Sequence, residues 1–274
     1  MDRDKNRMVS NQLKKFLDAG KSNTRVLSSV ERHLISKPKD KSRRTDVLHP
    51  SDMVDPGWCH RASYFHLLGH TPVSNRVMTL SLASVFEEGH AIHRRWQGWF
   101  QDMGNLYGKW HCLECDEMFW GDVYCHEGPL EYREVPLFYQ PLRISGHADG
   151  WLKGFGNDLM LEIKSVGEGT LRFEAPELFA EHDYDFKKTW DALDAPFMKH
   201  IMQVQIYMKL AELLGYEGCP QEAVIIYEAK PNQTHKEFVV PKSDFGIKHL
   251  FEAAEKIVAA VNKGEPPLCN IKAE

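Results

Sequence analysis

The tightest constraint on this chain lies in its middle. The run Leu159-Met160-Leu161-Glu162-Ile163-Lys164-Ser165 has the apolar and β-branched content of a strand, yet it carries a carboxylate and an ammonium in its interior. Side chains alternate faces along a strand, so Glu162 and Lys164 project from one face while Leu161, Ile163 and Ser165 take the other. Residues 131–138 and 142–152 also read as strands, with Val135, Leu137, Ile144 and Ala148 alternating with polar neighbours. The second of these carries Gly146-His147-Ala148-Asp149, and a hairpin-type loop, Gly154-Phe155-Gly156-Asn157-Asp158, joins it to the Glu-x-Lys run. Asp149, Glu162 and Lys164 are therefore expected to converge on one region of a sheet. A lone Glu-x-Lys is otherwise explained as a solvated strand face with a cross-strand partner, so the weight rests on what accompanies it.

Two companions stand at a distance in sequence. Residues 81–102 pattern as a long helix with Val85, Ile92, Trp96 and Trp99 on one face, and they contain Gly89-His90-Ala91-Ile92-His93. His93, in preference to His90, is positioned to join the carboxylates; a core or surface histidine is the alternative. Downstream, a well-patterned helix over about 197–214 carries Gln203 and Tyr207, which meet on one face at i and i+4. That pair can hold a nucleic-acid backbone or brace the catalytic strand.

The remaining pattern places a helix within 8–35, interrupted near Gly20, a polar linker at 37–44, an amphipathic stretch at 58–68, and mixed, partly helical sequence at 174–200. A strand at 223–228, a partner at 236–240 and a closing helix over 243–262 follow. Helices, strands, a helix, strands and a helix in this order suit a mixed sheet flanked by helices. His182, Asp183 and Asp185 read as a solvated loop.

Carboxylates attract hard divalent cations. A bound ion polarises a phosphoryl oxygen, acidifies its water and stabilises the leaving oxygen, while a nearby lysine orients or deprotonates that water. The residues thus point to metal-dependent phosphodiester hydrolysis. Asp149 and Glu162 are the expected ligands, with the Ile163 backbone carbonyl and His93 completing the shell. An imidazole ligand tilts the preference from Mg²⁺ alone toward Mn²⁺ tolerance.

The ordered set Gly-x3-His, Gly-x2-Asp, Glu-x-Lys and Gln-x3-Tyr resembles the PD-(D/E)xK nuclease superfamily, and more narrowly its RecB-like exonuclease branch, which includes CRISPR-adaptation exonucleases. The resemblance runs from about His60 to Gly215. The text from Phe86 to His90 and from Leu171 to Pro176 is similar to exonucleases carried by phages of actinobacteria. The resemblance implies an α/β (α+β), restriction-endonuclease-like mixed sheet flanked by helices. It implies a Mg²⁺- or Mn²⁺-dependent DNA exonuclease of phage replication or recombination, with the counterparts of His93, Asp149 and Glu162 as metal ligands and Lys164 catalytic. It places Gln203 and Tyr207 near DNA. Arg61, Tyr64 and Arg172 are further candidates for DNA contact. A structure- or site-specific endonuclease on the same core, or a non-catalytic nucleic-acid-binding module, remain the alternatives. Recombination or replication proteins are possible partners, and nothing in the sequence sets the oligomeric state.

Six cysteines stand at 59, 112, 115, 125, 219 and 269. Members of this branch hold an iron–sulfur cluster with one early and three late cysteines. Cys59 to Tyr64 resembles the early element, but the late triplet is missing, so such a cluster is not expected. Cys112-Leu113-Glu114-Cys115 instead offers the first half of a structural zinc site, with Cys125 and His126 as its second half and His111 as an alternative ligand. Residues 108–129 thus read as a small inserted zinc-knuckle module with Trp110, Phe119, Trp120 and Tyr124 as its core.

Charge is uneven. Residues 1–47 hold 13 Lys+Arg and 6 Asp+Glu, a net +7, while the remaining 21 Lys+Arg and 33 Asp+Glu give −12. The expected organisation is a basic N-terminal helical arm and linker (1–47), able to hold a polyanion or simply solvated, followed by the nuclease domain (48–274). No apolar run approaches a membrane span and no apolar leader is visible, so the reading is soluble and cytoplasmic, in the host cytoplasm if phage-encoded.

Overall fold

The computed structural model describes residues 25–36, 44–70, 79–121 and 129–271. The chain separates into two compact units, residues 1–42 with 74–88, and residues 43–73 with 89–274. In the first, α1 (Arg25–Ser36) exposes Val26 and Leu27. The expected helical segment at 8–24 and most of the expected linker lie outside the described residues. Among the described residues no helix is long and apolar enough to cross a membrane.

The second unit is a mixed sheet between helices. Following α2 (Pro50–Met53), α3 (His60–Leu67) and α4 (Leu80–Asp102), whose residues 89–102 belong to this unit, the strands are β1 (Leu106–Cys112), β2 (Met118–Gly121), β3 (Leu130–Tyr132), β4 (Val135–Tyr139), β5 (Ile144–Ala148), β6 (Gly150–Leu152) and β7 (Leu159–Val166). Helices α5 (Glu168–Glu174), α6 (Pro176–Glu181), α7 (Phe186–Ala192) and α8 (Met198–Leu213) lead to β8 (Glu222–Ala229), β9 (His235–Pro241) and α9 (Lys248–Lys263). The main sheet runs β2-β1-β6-β7-β8-β9, with β3 also paired to β1; β4 and β5 form a separate two-stranded sheet. The pair β7–β8 is parallel. That arrangement requires a long crossover, and α5 to α8 supply it.

Period-two patterning explains why β7 and β8 are buried on both faces. Met160 and Val166, with Ala223, Ile225 and Tyr227 of β8, join the core under α8 and α9; Leu161 and Ile163, with Val224 and Ile226, join a second cluster that includes Ile92 and Phe100 of α4. The expected apolar face of α4 is therefore shifted. Ile92 and Phe100 are buried, whereas Trp99 stays exposed, with the Arg95 guanidinium 5.6 Å from its ring centre.

The expected strand over 142–152 is in fact two strands in different sheets. β5 pairs with β4 from Ile144↔Tyr139 to Ala148↔Val135, the chain bends at Asp149, and β6 pairs with β7 from Gly150↔Leu161 to Leu152↔Leu159. The reciprocal crossing lies upstream. β3 follows β1, with Arg133 N–H donating to the Lys109 carbonyl at 2.7 Å, and Lys109 N–H donating to the Glu134 carbonyl at 2.9 Å. Glu134 then takes a left-handed conformation (φ 60°), and β4 departs into the second sheet. Local alternation cannot reveal such crossings, because both halves keep the same period.

Gly146 lies where β5 meets α8. A Cβ there would stand 2.9 Å from the Tyr207 ring and 3.0 Å from Pro50, whereas one on Gly89 of α4 would meet nothing nearer than Ser165 Oγ at 3.7 Å. Gly146→Ala is expected to lower the stability by about 2 kcal/mol through overpacking. Gly89→Ala should raise it by about 0.5–1 kcal/mol, because alanine is the better helix former. Urea denaturation of both variants checks this, and an unshifted midpoint for Gly146→Ala would refute the close-approach explanation.

Candidate active site

The site is assembled at the crossing between the two sheets. Because β6 ends at Gly150 opposite Leu161, the Ile163 N–H beyond that point has no strand partner on this side. The carboxylate of Asp149 takes it, Ile163 N to Asp149 Oδ2 2.6 Å, as a buried backbone donor requires. The other carboxylate oxygen receives His93, Nδ1 to Oδ1 3.2 Å. Glu162 and Lys164, on the same face of β7, form an ion pair. His93, Asp149, Glu162 and Lys164, drawn from α4, the bend and β7, thus share one site, whereas His90 is exposed.

Two residues of the site were not singled out in the sequence. Gln97, one turn beyond His93, donates from Nε2 to the Asp149 carbonyl at 2.9 Å and hydrogen-bonds Glu134. Glu134 brings a third carboxylate toward Asp149, His93 and Lys164. The one available signal for Gln97 was its i+4 spacing from His93. For Glu134 there was none, because its position depends on the first sheet crossing.

The electrostatics follow from burial opposed by partners. Burial alone would push the Asp149 carboxyl up, but the His93 ring and the Lys164 ammonium outweigh it and hold the group below the usual carboxylate range. His93 is correspondingly raised: burial works against its charge, and Asp149 overcomes that. Lys164 is raised despite burial, by Glu162 and then Asp149. Glu162 is pushed up to about 7, chiefly by burial and against the pull of Lys164. Glu134 also reaches about 7, by burial and the neighbouring Asp149 charge. His200, which hydrogen-bonds Tyr227 (Nδ1 to OH 2.6 Å), is pushed down to about 2 by burial and then by Lys164 and Lys199, and is neutral.

Among the described residues no three His, Cys, Asp or Glu side chains are drawn together as a ready ion cage; their donor atoms are engaged by Lys164, the Ile163 N–H and one another. The donor chemistry nevertheless suits a hard divalent cation. Carboxylates whose ionisation is opposed by burial and by each other are the groups that gain most from a nearby cation, and Asp149, Glu162, Glu134, His93 and the Ile163 carbonyl are the groups that could hold it.

The Gln203/Tyr207 pair forms as expected, Gln203 Nε2 donating to Tyr207 OH at 2.7 Å. Both are buried, 7% and 5% exposed, and Glu162 acts on the Tyr207 hydroxyl, which lies well above the usual phenol range through burial and then that charge. Neither side chain is exposed, and the pair packs beneath β7 beside Glu162. Tyr64 is buried; Arg61 donates to the Pro267 carbonyl at 3.1 Å; Arg172 is exposed on α5. Asp185 caps α7 through Lys188 N–H (2.8 Å), a structural task consistent with a loop outside the site.

In the cysteine-rich segment, β1 carries Trp110 and Cys112 into the main sheet, and both are buried. A tight turn follows, in which Asp116 N–H donates to the Cys112 carbonyl at 2.9 Å. His111 is engaged by Asp116, Nε2 to Oδ1 2.7 Å. Cys115 is exposed. Cys125, His126 and Tyr124 lie outside the described residues.

No protein-family model matches this chain, and no curated protein sequence matches it. Among solved structures it is similar to SSO0001 (14% identity, 84% of each chain covered, TM-score 0.38). It is also similar to LHK-Exo in complex with dAMP (11% identity, covering 81% of this chain and 90% of that one, TM-score 0.46). A further similar structure is the alkaline exonuclease LHK-Exo from Laribacter hongkongensis (13% identity, 81% and 90% covered, TM-score 0.43).

A stability test follows from Glu134. Its pKa in the fold exceeds the ordinary 4.5, so folding takes up protons between about 4.5 and 7, and stability falls as pH rises through that window. Glu134→Gln keeps the bond to Gln97 but removes the charge. In chelator-treated buffer at pH 8 it is expected to be more stable than the parent by on the order of 2 kcal/mol, with the gain vanishing below about pH 4.5. A gain that is the same at pH 4 and pH 8 would rule out the electrostatic cause.

Proposed function

We propose that this protein is a metal-dependent DNA nuclease acting as an exonuclease, with Asp149, Glu162 and Lys164 as its catalytic centre. The observation that carries this reading is the convergence of His93, Asp149, Glu162 and Lys164 on one buried site. A divalent cation held by Asp149, Glu162, His93 and the Ile163 carbonyl would supply Lewis-acid polarisation of the phosphoryl oxygen and an acidified water. Lys164 would orient the attacking water and offset charge that develops on the phosphorus oxygens. Asp149 is locked by the Ile163 N–H on one oxygen and meets His93 with the other, so its carboxylate is held in a fixed direction. His93, tied to Asp149, sets the position of that oxygen, and Gln97 steadies the bend from behind. Gln203 and Tyr207 brace β7. Arg172, exposed on α5, and Arg61 would meet the DNA backbone. The sequence resemblance to phage exonucleases of replication and recombination supports DNA as the substrate and a phage setting. Zn²⁺ held by Cys112, Cys115, Cys125 and His126 is the proposed structural metal, supported by the tight turn that follows Cys112.

The test uses end-labelled single- and double-stranded DNA beside covalently closed circles, with Mg²⁺ and Mn²⁺ in parallel. Linear substrates are expected to be degraded and closed circles spared; cleavage of circles would favour the endonuclease alternative. Asp149→Asn and Lys164→Ala should each lose at least about 10²-fold in rate while retaining the parental circular dichroism spectrum. Unchanged degradation in both variants would overturn the proposal. Elemental analysis of the purified protein is expected to find zinc, at about one equivalent, and this should fall in Cys112→Ser.

A further inference from the structure

Cys59 and Cys269 stand 210 positions apart in sequence, and the fold brings their sulfur atoms to 3.9 Å. After α9 the chain turns back toward the start of α3 and is fastened there. Asn270 Oδ1 accepts the His60 N–H at 2.8 Å, Asn270 Nδ2 donates to the Trp58 carbonyl at 2.9 Å, and the Pro267 carbonyl accepts from Arg61 at 3.1 Å. Cys59 itself caps α3, its sulfur accepting the Ala62 N–H at 3.4 Å. Cys59 is part-exposed and Cys269 exposed, so both thiols are within reach of a dissolved reagent. Neither belongs to the catalytic constellation.

Two accessible thiols in contact are a common packing accident. Here the backbone on both sides is already held by hydrogen bonds that flank the sulfur atoms. Closing them from 3.9 Å to a bond of about 2.05 Å brings together two sulfur atoms whose neighbouring backbone is already fastened.

We propose that Cys59 and Cys269 form a reversible dithiol–disulfide pair that locks the C-terminal segment onto the start of α3, with a glutathione-class disulfide as the oxidant. The exposed Cys269 thiolate attacks one sulfur of the oxidant, forming a mixed disulfide and expelling one glutathione thiolate. The Cys59 thiolate then attacks the Cys269 sulfur, forms the Sγ–Sγ bond and expels the second glutathione. Two protein thiols are oxidised, one disulfide is reduced to two thiols, and the two protons released by the cysteines are taken by the two glutathione thiolates. The bridge closes a long loop, which constrains the unfolded chain most strongly, and it fixes the backbone that carries Arg61.

The full chain is incubated with oxidised glutathione, quenched with acid, and mapped by non-reducing peptide mass spectrometry beside thermal unfolding. A cross-linked peptide containing Cys59 and Cys269, lighter by two hydrogens, is expected, with a rise in Tm of about 5 °C; dithiothreitol should reverse both. Cys269→Ser should show neither. Cys59→Ser, which keeps a preferred helix-capping residue and so remains folded, should also show neither. The proposal is overturned if wild-type protein instead carries glutathione on the two sulfurs separately, stays reduced at both, bridges only Cys112 to Cys115, or forms the bridge without any rise in Tm.

Discussion

A single hydrogen bond, from the Ile163 N–H to the Asp149 carboxylate at 2.6 Å, holds the architecture of the site in place. It exists because β6 is only three residues long and leaves β7 without a partner where the chain arrives from the second sheet. A buried N–H left unmade costs about 1–3 kcal/mol, so the fold needs a short acceptor at this bend. Asp149 meets that need and, in doing so, aims its other oxygen at His93. Satisfying the backbone and aligning Asp149 with His93 are one requirement here.

The reciprocal crossing, at Glu134, repeats the logic. The chain leaves the main sheet through a left-handed residue whose carbonyl is bonded by Lys109, and the side chain at that turn is again a carboxylate directed to the site. Gln97 links the two crossings by bonding the Asp149 carbonyl and Glu134. Three acidic groups in one buried place would repel one another without cations. Lys164 and His93 offset part of that charge, while burial, and then the Asp149 charge, push the Glu134 and Glu162 carboxyls up to about 7. Among the described residues no buried side-chain nitrogen or oxygen lacks a hydrogen-bond partner. A bracing network lies further along the same elements: buried Glu228 of β8 is paired with Arg95 and accepts Trp96 Nε1 at 2.9 Å. It anchors α4, and with it His93 and Gln97, against the sheet.

Much of this was readable from local pattern. The alternation in Leu159–Val166 put Glu162 and Lys164 on one face, the i and i+4 spacing paired Gln203 with Tyr207, and the helical repeat around Ile92 turned His93 rather than His90 inward. Each of these depends on a period set by backbone geometry, which any chain with that spacing obeys. The same reading misplaced Trp99, because the second core cluster takes Ile92, Trp96 and Phe100 from this helix and leaves Trp99 at its edge.

The sequence alone thus determined which residues could share a face, and with that the core of the candidate site and the order of its elements. Only the tertiary structure decided that one apparent strand divides between two sheets at Asp149, that Glu134 and Gln97 belong to the site, and that Cys59 and Cys269 are neighbours. These are pairings between residues far apart in the chain. They are set by which backbone groups remain unpaired after the sheet has formed, a quantity with no local period in the sequence.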